Sequence, residues 1–262
     1  MIKIATWNIN SIRQRLEHLT SWLDHTQTDI VLLQETKVTD DKFPTEPLEE
    51  RGYNLAFTGQ KTFNGVAILS KYPLEDVITT LPGQEEDEQK RYIEAVVSLP
   101  DSSIARVASI YVPNGQSPDS EKFPYKMGFL NNLRAHAQTL LGYEETLILG
   151  GDYNIAPEAI DVHEPRKWEG QVCFHPRERE HFRALTHLGL YDAFRIANPE
   201  REQYSWWDYR GGAYQKNDGL RIDHLLLSPQ AVDRLQGCEI DESLRGLEKP
   251  SDHTPVVVVI GN

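Results

Sequence analysis

The chain has 262 residues, 39% hydrophobic and 26% charged, enough to bury a substantial core. A formal net charge of −13 argues against a partner coated along its whole length, although a metal ion and a few local cations can still hold nucleic acid. Two cysteines, Cys173 and Cys238, are too few for a disulfide framework or a zinc ribbon and point to a reducing compartment. The segment Met1–Trp7 has no basic region followed by an apolar core, and no apolar run reaches membrane-spanning length. A cytoplasmic protein with no membrane partner is expected.

Ile2 to Trp7 reads as a strand ending in Asn8-Ile9-Asn10, two amides on one side. Ser11 is a candidate N-cap for a helix carrying Ile12, Leu16, Leu19 and Leu23 at helical spacing. Asp29 to Thr36 is a second strand, apolar almost throughout, and it delivers Glu35 at its end. Between Tyr53 and Val112 the pattern is strand-rich: around Leu55, Val66–Ser70, Tyr92–Leu99 and Ile104–Val112, with turns at Asn64-Gly65, Tyr72-Pro73, Pro82-Gly83 and Pro100-Asp101. The acidic run 85–88 reads as a solvated loop, and Arg91 just after it as a candidate phosphate contact. The last of these strands ends in Tyr111-Val112-Pro113-Asn114-Gly115. Lys122 and Lys126 then lead into a helix with Met127, Leu130, Leu133, Ala137 and Leu140 on one face.

The chain is organised around Leu147–Pro157. Three aliphatic residues end a buried strand, Gly150 and Gly151 let the backbone turn, and Asp152 and Asn154 follow two positions apart, facing one side if extended. Such a carboxylate and amide suit a hard cation or a phosphate; the bland alternative is an ordinary turn. An irregular stretch, 157–178, comes next, then a helix with Phe182, Leu185 and Leu188. Tyr204 to Arg210 packs four aromatics into six positions, as a half-buried strand or, beside Arg210, Lys216 and Arg221, as a binding surface. Gly219 to Leu227 is another strand, with Asp223 a buried acid; Ser251-Asp252-His253 precedes the strand Val256–Ile260. No low-complexity linker divides the halves, so one domain spanning 1–262 is expected.

Asn8, Glu35, Tyr111, Asp152, Asn154, Asp223, Asp252 and His253 all fall at strand ends, which would converge if the strands are neighbours. This oxygen-rich, thiol-free set favours Mg²⁺ or Mn²⁺ over zinc. No P-loop, dinucleotide glycine pattern, His-Glu-x-x-His or Gly-x-Ser-x-Gly occurs.

The blocks Trp7-Asn8-Ile9-Asn10, Leu33-Gln34-Glu35-Thr36-Lys37, Gly150-Gly151-Asp152-Tyr153-Asn154, Leu220-Arg221-Ile222-Asp223 and Ser251-Asp252-His253-Thr254-Pro255 resemble, in order, the signatures of the exonuclease III family of the endonuclease/exonuclease/phosphatase superfamily. Asn64-Gly65-Val66-Ala67 and Trp206–Arg210 fit the same family. The resemblance implies an α/β fold, a four-layer α/β/β/α sandwich of two packed mixed sheets with outer helices. It also implies a Mg²⁺-dependent hydrolase of DNA phosphodiesters at abasic sites and 3′ ends, acting in base-excision repair as a monomer on double-stranded DNA with an abasic site or a blocked 3′ end.

By the same resemblance, Asn8 and Glu35 hold the metal, with Asp252 a direct or water-mediated ligand. Asp152 orients or deprotonates the attacking water, and Asn154 holds that water or the phosphate; both could equally be ligands of one or two metals. Asp223 pairs with His253 and favours its protonated form, which contacts a phosphate oxygen. Tyr111 hydrogen-bonds the scissile phosphate or assists the leaving oxygen. Arg91, Asn114, Lys122, Trp206, Trp207 and Arg221 are the expected DNA contacts, with Lys61, Lys126 and Arg210 as further candidate cations; at least one of the tryptophans is expected in the core. Two features depart from the pattern: Asn114 stands where a longer amide is usual, and the 157–178 stretch, expected to govern lesion choice, carries no recognisable motif. The rival readings are a superfamily phosphatase acting on an inositol phosphate and an inactive nucleic-acid-binding module, although no catalytic position is lost.

Overall fold

The computed structural model describes residues 1–261. In chain order the strands are β1 (Ile2–Asn8), β2 (Ile30–Gln34), β3 (Asn54–Thr58), β4 (Val66–Ser70), β5 (Leu74–Ile78), β6 (Tyr92–Ser98), β7 (Ile104–Tyr111), β8 (Thr146–Asp152), β9 (Tyr191–Asp192), β10 (Trp206–Trp207), β11 (Gly219–Leu220), β12 (Asp223–Leu227), β13 (Leu235–Ile240) and β14 (Val256–Ile260). The helices are α1 (Leu16–Thr26), α2 (Glu46–Glu49), α3 (Lys122–Leu141), α4 (Pro165–Trp168), α5 (Pro176–Thr186), α6 (Ala193–Ala197), α7 (Ala213–Lys216) and α8 (Pro229–Val232). Two six-stranded sheets result, ordered β13-β14-β1-β2-β4-β3 and β5-β6-β7-β8-β12-β9, with β10 and β11 a separate ribbon.

Alternation along the strands builds the layers. Ile4, Ile30, Leu32, Ile148, Leu225 and Leu227 point into one core between the sheets. Their neighbours Ala5, Trp7, Val31 and Leu33 pack under α1 on one outer face. Leu147, Leu149 and Leu226 pack under α3 and α5 on the other. The result is the expected four-layer α/β sandwich of two mixed sheets, since each sheet holds one parallel pair, β1 with β2 and β7 with β8, among antiparallel neighbours.

Those two parallel pairs position the site. Register sets Asn8 opposite Gln34 in one sheet and Tyr111 opposite Asp152 in the other, so both pairs stop at the same level. Buried Gln34 ties the sheets together there, its Nε2 donating to Ser109 Oγ at 2.9 Å and to Thr6 Oγ1 at 3.0 Å. A buried amide satisfied on both sides fixes the alignment of the two sheets.

Several local expectations change. Gly150 and Gly151 lie within β8 and make no turn. A Cβ on Gly150 would stand 2.6 Å from Leu32 Cδ1 in the opposite sheet, and one on Gly151 would stand 2.0 Å from the carbonyl oxygen of Ile110. Close approach of neighbours is what these glycines permit. Ser11 does not cap α1, which begins at Leu16; residues 11–15 form a turn closed by Ser11 O. The 219–227 segment is two strands, β11 and β12, because its chain leaves the ribbon and joins the main sheet at Asp223. Strands β5 and β9 carry no clear alternation of buried residues, and β13 alternates only through small or weakly apolar residues such as Gly237 and Cys238, so the sequence pattern misses all three.

Candidate active site

The strand-end residues meet in one cavity of about 430 Å³, lined by Glu35, Tyr111, Asn114, Asp152, Asn154, Asp252 and His253. Its other wall is apolar, from Trp168, Val172, Trp206, Leu220 and Ile222. Glu35 and Asn154 follow their strands in left-handed backbone, φ 52° and 50°, which turns both side chains back over the sheet ends. The extended i, i+2 reading of Asp152 and Asn154 is therefore corrected. Both reach the cavity, but Asn154 does so through a turn in which its N–H donates to Asp152 Oδ1 at 2.9 Å.

Asp152 stands between two groups. On one side buried Asn8 donates from Nδ2 to Asp152 Oδ2 at 3.0 Å and to Glu35 Oε1 at 2.9 Å. Glu35 also accepts from Tyr111 OH at 2.9 Å and pairs with Lys37 Nζ at 2.5 Å. Lys37 donates on to Asn10 Oδ1, and Asn10 Nδ2 donates to Asp252 Oδ1 at 2.9 Å. Trp206 Nε1 donates to the other Asp252 oxygen at 3.1 Å. On the second side His253 Nε2 lies 3.7 Å from Asp152 Oδ2, and its Nδ1 lies 2.8 Å from Asp223 Oδ2. Ser205 Oγ donates to that same Asp223 oxygen at 2.6 Å.

Burial and charge set the protonation states. Burial drives Asp152 above the usual carboxylate range, against the pull of His253. Burial alone would lower His253, but the carboxylates of Asp223 and Asp152 outweigh it and carry the imidazole up to about 10. Glu35 pays for burial yet stays below its ordinary value, because Lys37 and the Asn8 amide favour its charged form. Asp252 is held down in the same sense by His253, Asn10 and Trp206. Burial, and then Glu35 and Asp152, keep the Tyr111 phenol protonated. The site thus offers a carboxylate of raised basicity beside an imidazolium, the pairing that hydrolysis with general base and charge stabilisation requires.

The donor set fits a hard divalent cation. Glu35 and Asp152 supply carboxylate oxygens beside the Asn8 amide, Asp252 adds another from the same cavity, and ligand atoms of Asp152, Asp223 and His253 lie within 4.8 Å of one another. Cys173 lines the same cavity, but burial pushes its thiol up to about 12, so it presents no thiolate.

A second cavity of about 620 Å³ adjoins the first through Tyr111 and Asn114 and carries Arg91, Lys122 and exposed Phe63. Arg91 lies over the Tyr111 ring, 4.6 Å from its centroid. Three expected DNA contacts are corrected. Arg221 is buried, with Nε 2.7 Å from Asp161 Oδ1 and Nη2 2.8 Å from Asp192 Oδ2, so it neutralises acids inside the protein. Trp207 is also core, with Nε1 donating to Asn217 Oδ1 at 3.1 Å. Lys126 is fully buried against Glu178. Arg210 stays exposed at the rim of the first cavity, paired with Asp208 at 2.9 Å, and Lys61 is exposed but lines neither cavity. Sequence reasoning gave no role to Asn10, Lys37 or Ser205. Asn10 and Lys37 stood inside the quoted blocks, whereas a lone serine before a tryptophan pair gives no signal.

The profile of the Endonuclease/Exonuclease/phosphatase family matches residues 5–253. Exodeoxyribonuclease III of Haemophilus influenzae is 35% identical, over 97% of this chain and 98% of its own length. Among solved structures, the 3′ phosphatase NExo from Neisseria, bound to a product DNA hairpin, superposes with a TM-score of 0.95 at 39% identity, covering 100% of both chains. An AP endonuclease from Archaeoglobus fulgidus superposes with a TM-score of 0.93 at 39% identity over 99% of each chain. With this geometry and these relatives, the chain belongs to the Endonuclease/Exonuclease/phosphatase family, as a hydrolytic nuclease of the exonuclease III type.

Proposed function

We propose that this nuclease hydrolyses phosphodiesters of double-stranded DNA at abasic sites and at 3′ ends, releasing 3′ nucleotides and 3′ blocking phosphates in base-excision repair. The observation that carries the reading is the division of one cavity into a carboxylate–imidazole wall and an apolar wall of Trp206, Leu220, Ile222 and Val172. A scissile phosphate suits the first wall and the face of a deoxyribose without its base suits the second. The names of the relatives, exodeoxyribonuclease III, AP endonuclease and 3′ phosphatase, support the same reading. A monomer working in the cytoplasm completes it, in keeping with two free cysteines.

Mg²⁺ is the proposed cation, with Mn²⁺ as a substitute; Glu35, Asn8 and Asp252 would hold it, and bound there it supplies positive charge to the phosphate oxygens. Asp152 takes a proton from the attacking water, its carboxylate aimed by the Asn8 amide and the Asn154 N–H. His253, protonated and held by Asp223, presents Nε2–H to a non-bridging oxygen. Tyr111 keeps its proton and can move its hydrogen bond from Glu35 to the phosphate. Arg91, Lys122 and Arg210 face the flanking backbone, and Asn114 reaches the site as a partner of Asn154. The test is incubation with an abasic-site duplex, a blunt duplex and a 3′-phosphate duplex, each with Mg²⁺ and with EDTA. Cleavage that EDTA abolishes is expected on at least the first and third. Inertness on all three, with turnover of an inositol phosphate, would replace the reading with a small-molecule phosphatase.

A further inference from the structure

Lys126 is the buried charge that the chemistry above leaves unused. It projects from the first turns of α3 with no solvent exposure, and its ammonium has three acceptors. They are Glu178 Oε1 at 2.5 Å, the carbonyl oxygen of Asn154 at 2.7 Å and that of Asn114 at 3.2 Å. The three donors of a lysine are thereby matched one to one. Glu178 is itself fully buried in α5, and its second oxygen accepts from the His175 N–H at 3.0 Å.

The two carbonyls belong to the residues whose side chains meet in the cavity wall. Asn114 Nδ2 donates to Asn154 Oδ1 at 2.9 Å, and Asn154 Nδ2 donates to Val112 O at 3.0 Å. The same Asn154, through its N–H, aims the Asp152 carboxylate. Both turns need a fixed peptide plane to present these amides, and Asn154 lies in left-handed backbone that no ladder supports. The turn at Gly115 rests on the lysine stem, since a Cβ there would stand 3.2 Å from Lys126 Cδ. A buried ion pair is weak evidence of stabilisation, because an apolar replacement of both partners is often neutral. What an apolar pair does not reproduce is the pair of hydrogen bonds to these two carbonyls.

We infer that Lys126, neutralised by Glu178, is a positioning residue that clamps the turns after β7 and β8 and so sets the Asn114–Asn154 amide pair and the aim of Asp152. The inference deepens the hydrolytic reading and rests on it, so wild-type turnover is measured first on the three duplexes. A wild type inert on all of them overturns both; an active wild type leaves the inference to the variants.

Lys126→Met alone strands a buried carboxylate and is expected to melt early. The informative protein is Lys126→Met with Glu178→Gln, which removes both charges, keeps an acceptor for the His175 N–H and fills the lysine volume. Its melting temperature should recover most of the loss, while kcat stays down on the order of tenfold to a hundredfold with KM little changed. Lys126→Gln with Glu178→Gln, in which an amide can still donate to one carbonyl, should regain part of that rate. Placed on an Asn154→Ala background, which lacks the amide pair but keeps the backbone N–H that aims Asp152, the Met/Gln pair should cost clearly less than it does in the wild type. Turnover within twofold of wild type in the recovered Met/Gln protein would overturn the inference. So would full additivity with Asn154→Ala, or equal rates for the Met and Gln versions at position 126.

Discussion

His253 Nδ1 and Asp223 Oδ2 stand 2.8 Å apart, both buried, behind the cavity wall that His253 lines. Asp223 Oδ2 acts there as the acceptor. Ser205 Oγ receives the N–H groups of Ile222 and Asp223, each at 3.1 Å, and so directs its own proton to the same carboxylate oxygen. The imidazole therefore donates from Nδ1 and has Nε2–H facing Asp152 when protonated.

From this pairing follows a pH dependence. Burial opposes the imidazolium, but Asp223, with Asp152, carries its pKa up to about 10. Activity should fall as pH rises through that value and the phosphate contact loses its charge. Asp223→Asn removes a full charge at 2.8 Å, so the alkaline limb of kcat/KM should move to lower pH by about one unit or more. A limb that stays in place in this variant would assign the alkaline loss to a group other than the His253–Asp223 pair.

Glu35 gathers the Asn8 amide, the Tyr111 hydroxyl and the Lys37 ammonium on one carboxylate. Replacing it with alanine removes an anionic ligand while leaving every sheet residue in place. Glu35→Ala should lose on the order of a hundredfold or more in kcat/KM at low Mg²⁺, with part of the loss recovered at high Mg²⁺. Its melting temperature should remain close to that of the wild type. A Mg²⁺ titration that superposes on the wild-type curve would remove Glu35 from the metal site.

His224 makes a separate prediction about acid stability. Arg221 Nη1 donates to its Nδ1 at 3.0 Å, and its Nε2 donates to the Ile155 carbonyl at 2.8 Å, which requires the neutral ring. Burial, reinforced by Arg221, takes its pKa down from 6.5 to about 4. The unfolded chain therefore binds this proton first. The contribution of the neutral ring is fully present above pH 6.5 and is lost as pH falls toward 4, amounting to about 3 kcal/mol over that window. Urea unfolding of wild type and His224→Gln at pH 7, 5.5 and 4.5 checks it: the variant should be less stable at pH 7 but show a shallower decline. Parallel declines would place the acid sensitivity in the carboxylates instead.

Much of this site was legible before the fold, and the reason is chemical. Asn8, Glu35, Asp152, Asp223, Asp252 and His253 are polar residues within a few positions of apolar runs, and strand alternation leaves such ends little freedom. The cations were harder to read. Lys122 and Lys126 lie four positions apart on one helix, yet one is exposed and the other has no exposure. Only the position of Glu178 in α5 decides between them, and that is a tertiary fact. Arg221 was misassigned for the same reason, since Asp161 and Asp192, which neutralise it, lie far away in the chain. The glycines of β8 looked like turn residues because sequence cannot show a facing Leu32.

The adjacent tryptophans separate structure from lesion choice. Trp207 is fully buried, with Tyr204 and Tyr214 edge-on to it at 6.5 and 5.2 Å and the Arg245 guanidinium 5.8 Å from its ring. Trp206 is half-buried, faces the cavity and donates to Asp252. Trp207→Ala should cost about 3–5 kcal/mol of stability, as truncation of a core aromatic does, and leave the ratio of abasic to intact-duplex cleavage near that of wild type in the folded fraction. Trp206→Ala should melt within a few degrees of wild type and lose discrimination, because it removes the apolar surface offered to a base-free sugar. Since this change also removes the donor to Asp252, Trp206→Phe is the necessary companion. A phenylalanine keeps most of the wall without the N–H, so it should restore discrimination while leaving any defect in Mg²⁺ affinity. If the phenylalanine variant discriminates no better than the alanine one, the role of Trp206 is to hold Asp252. Lesion choice would then rest on the Val172 and Trp168 side of the cavity, supplied by the 157–178 segment.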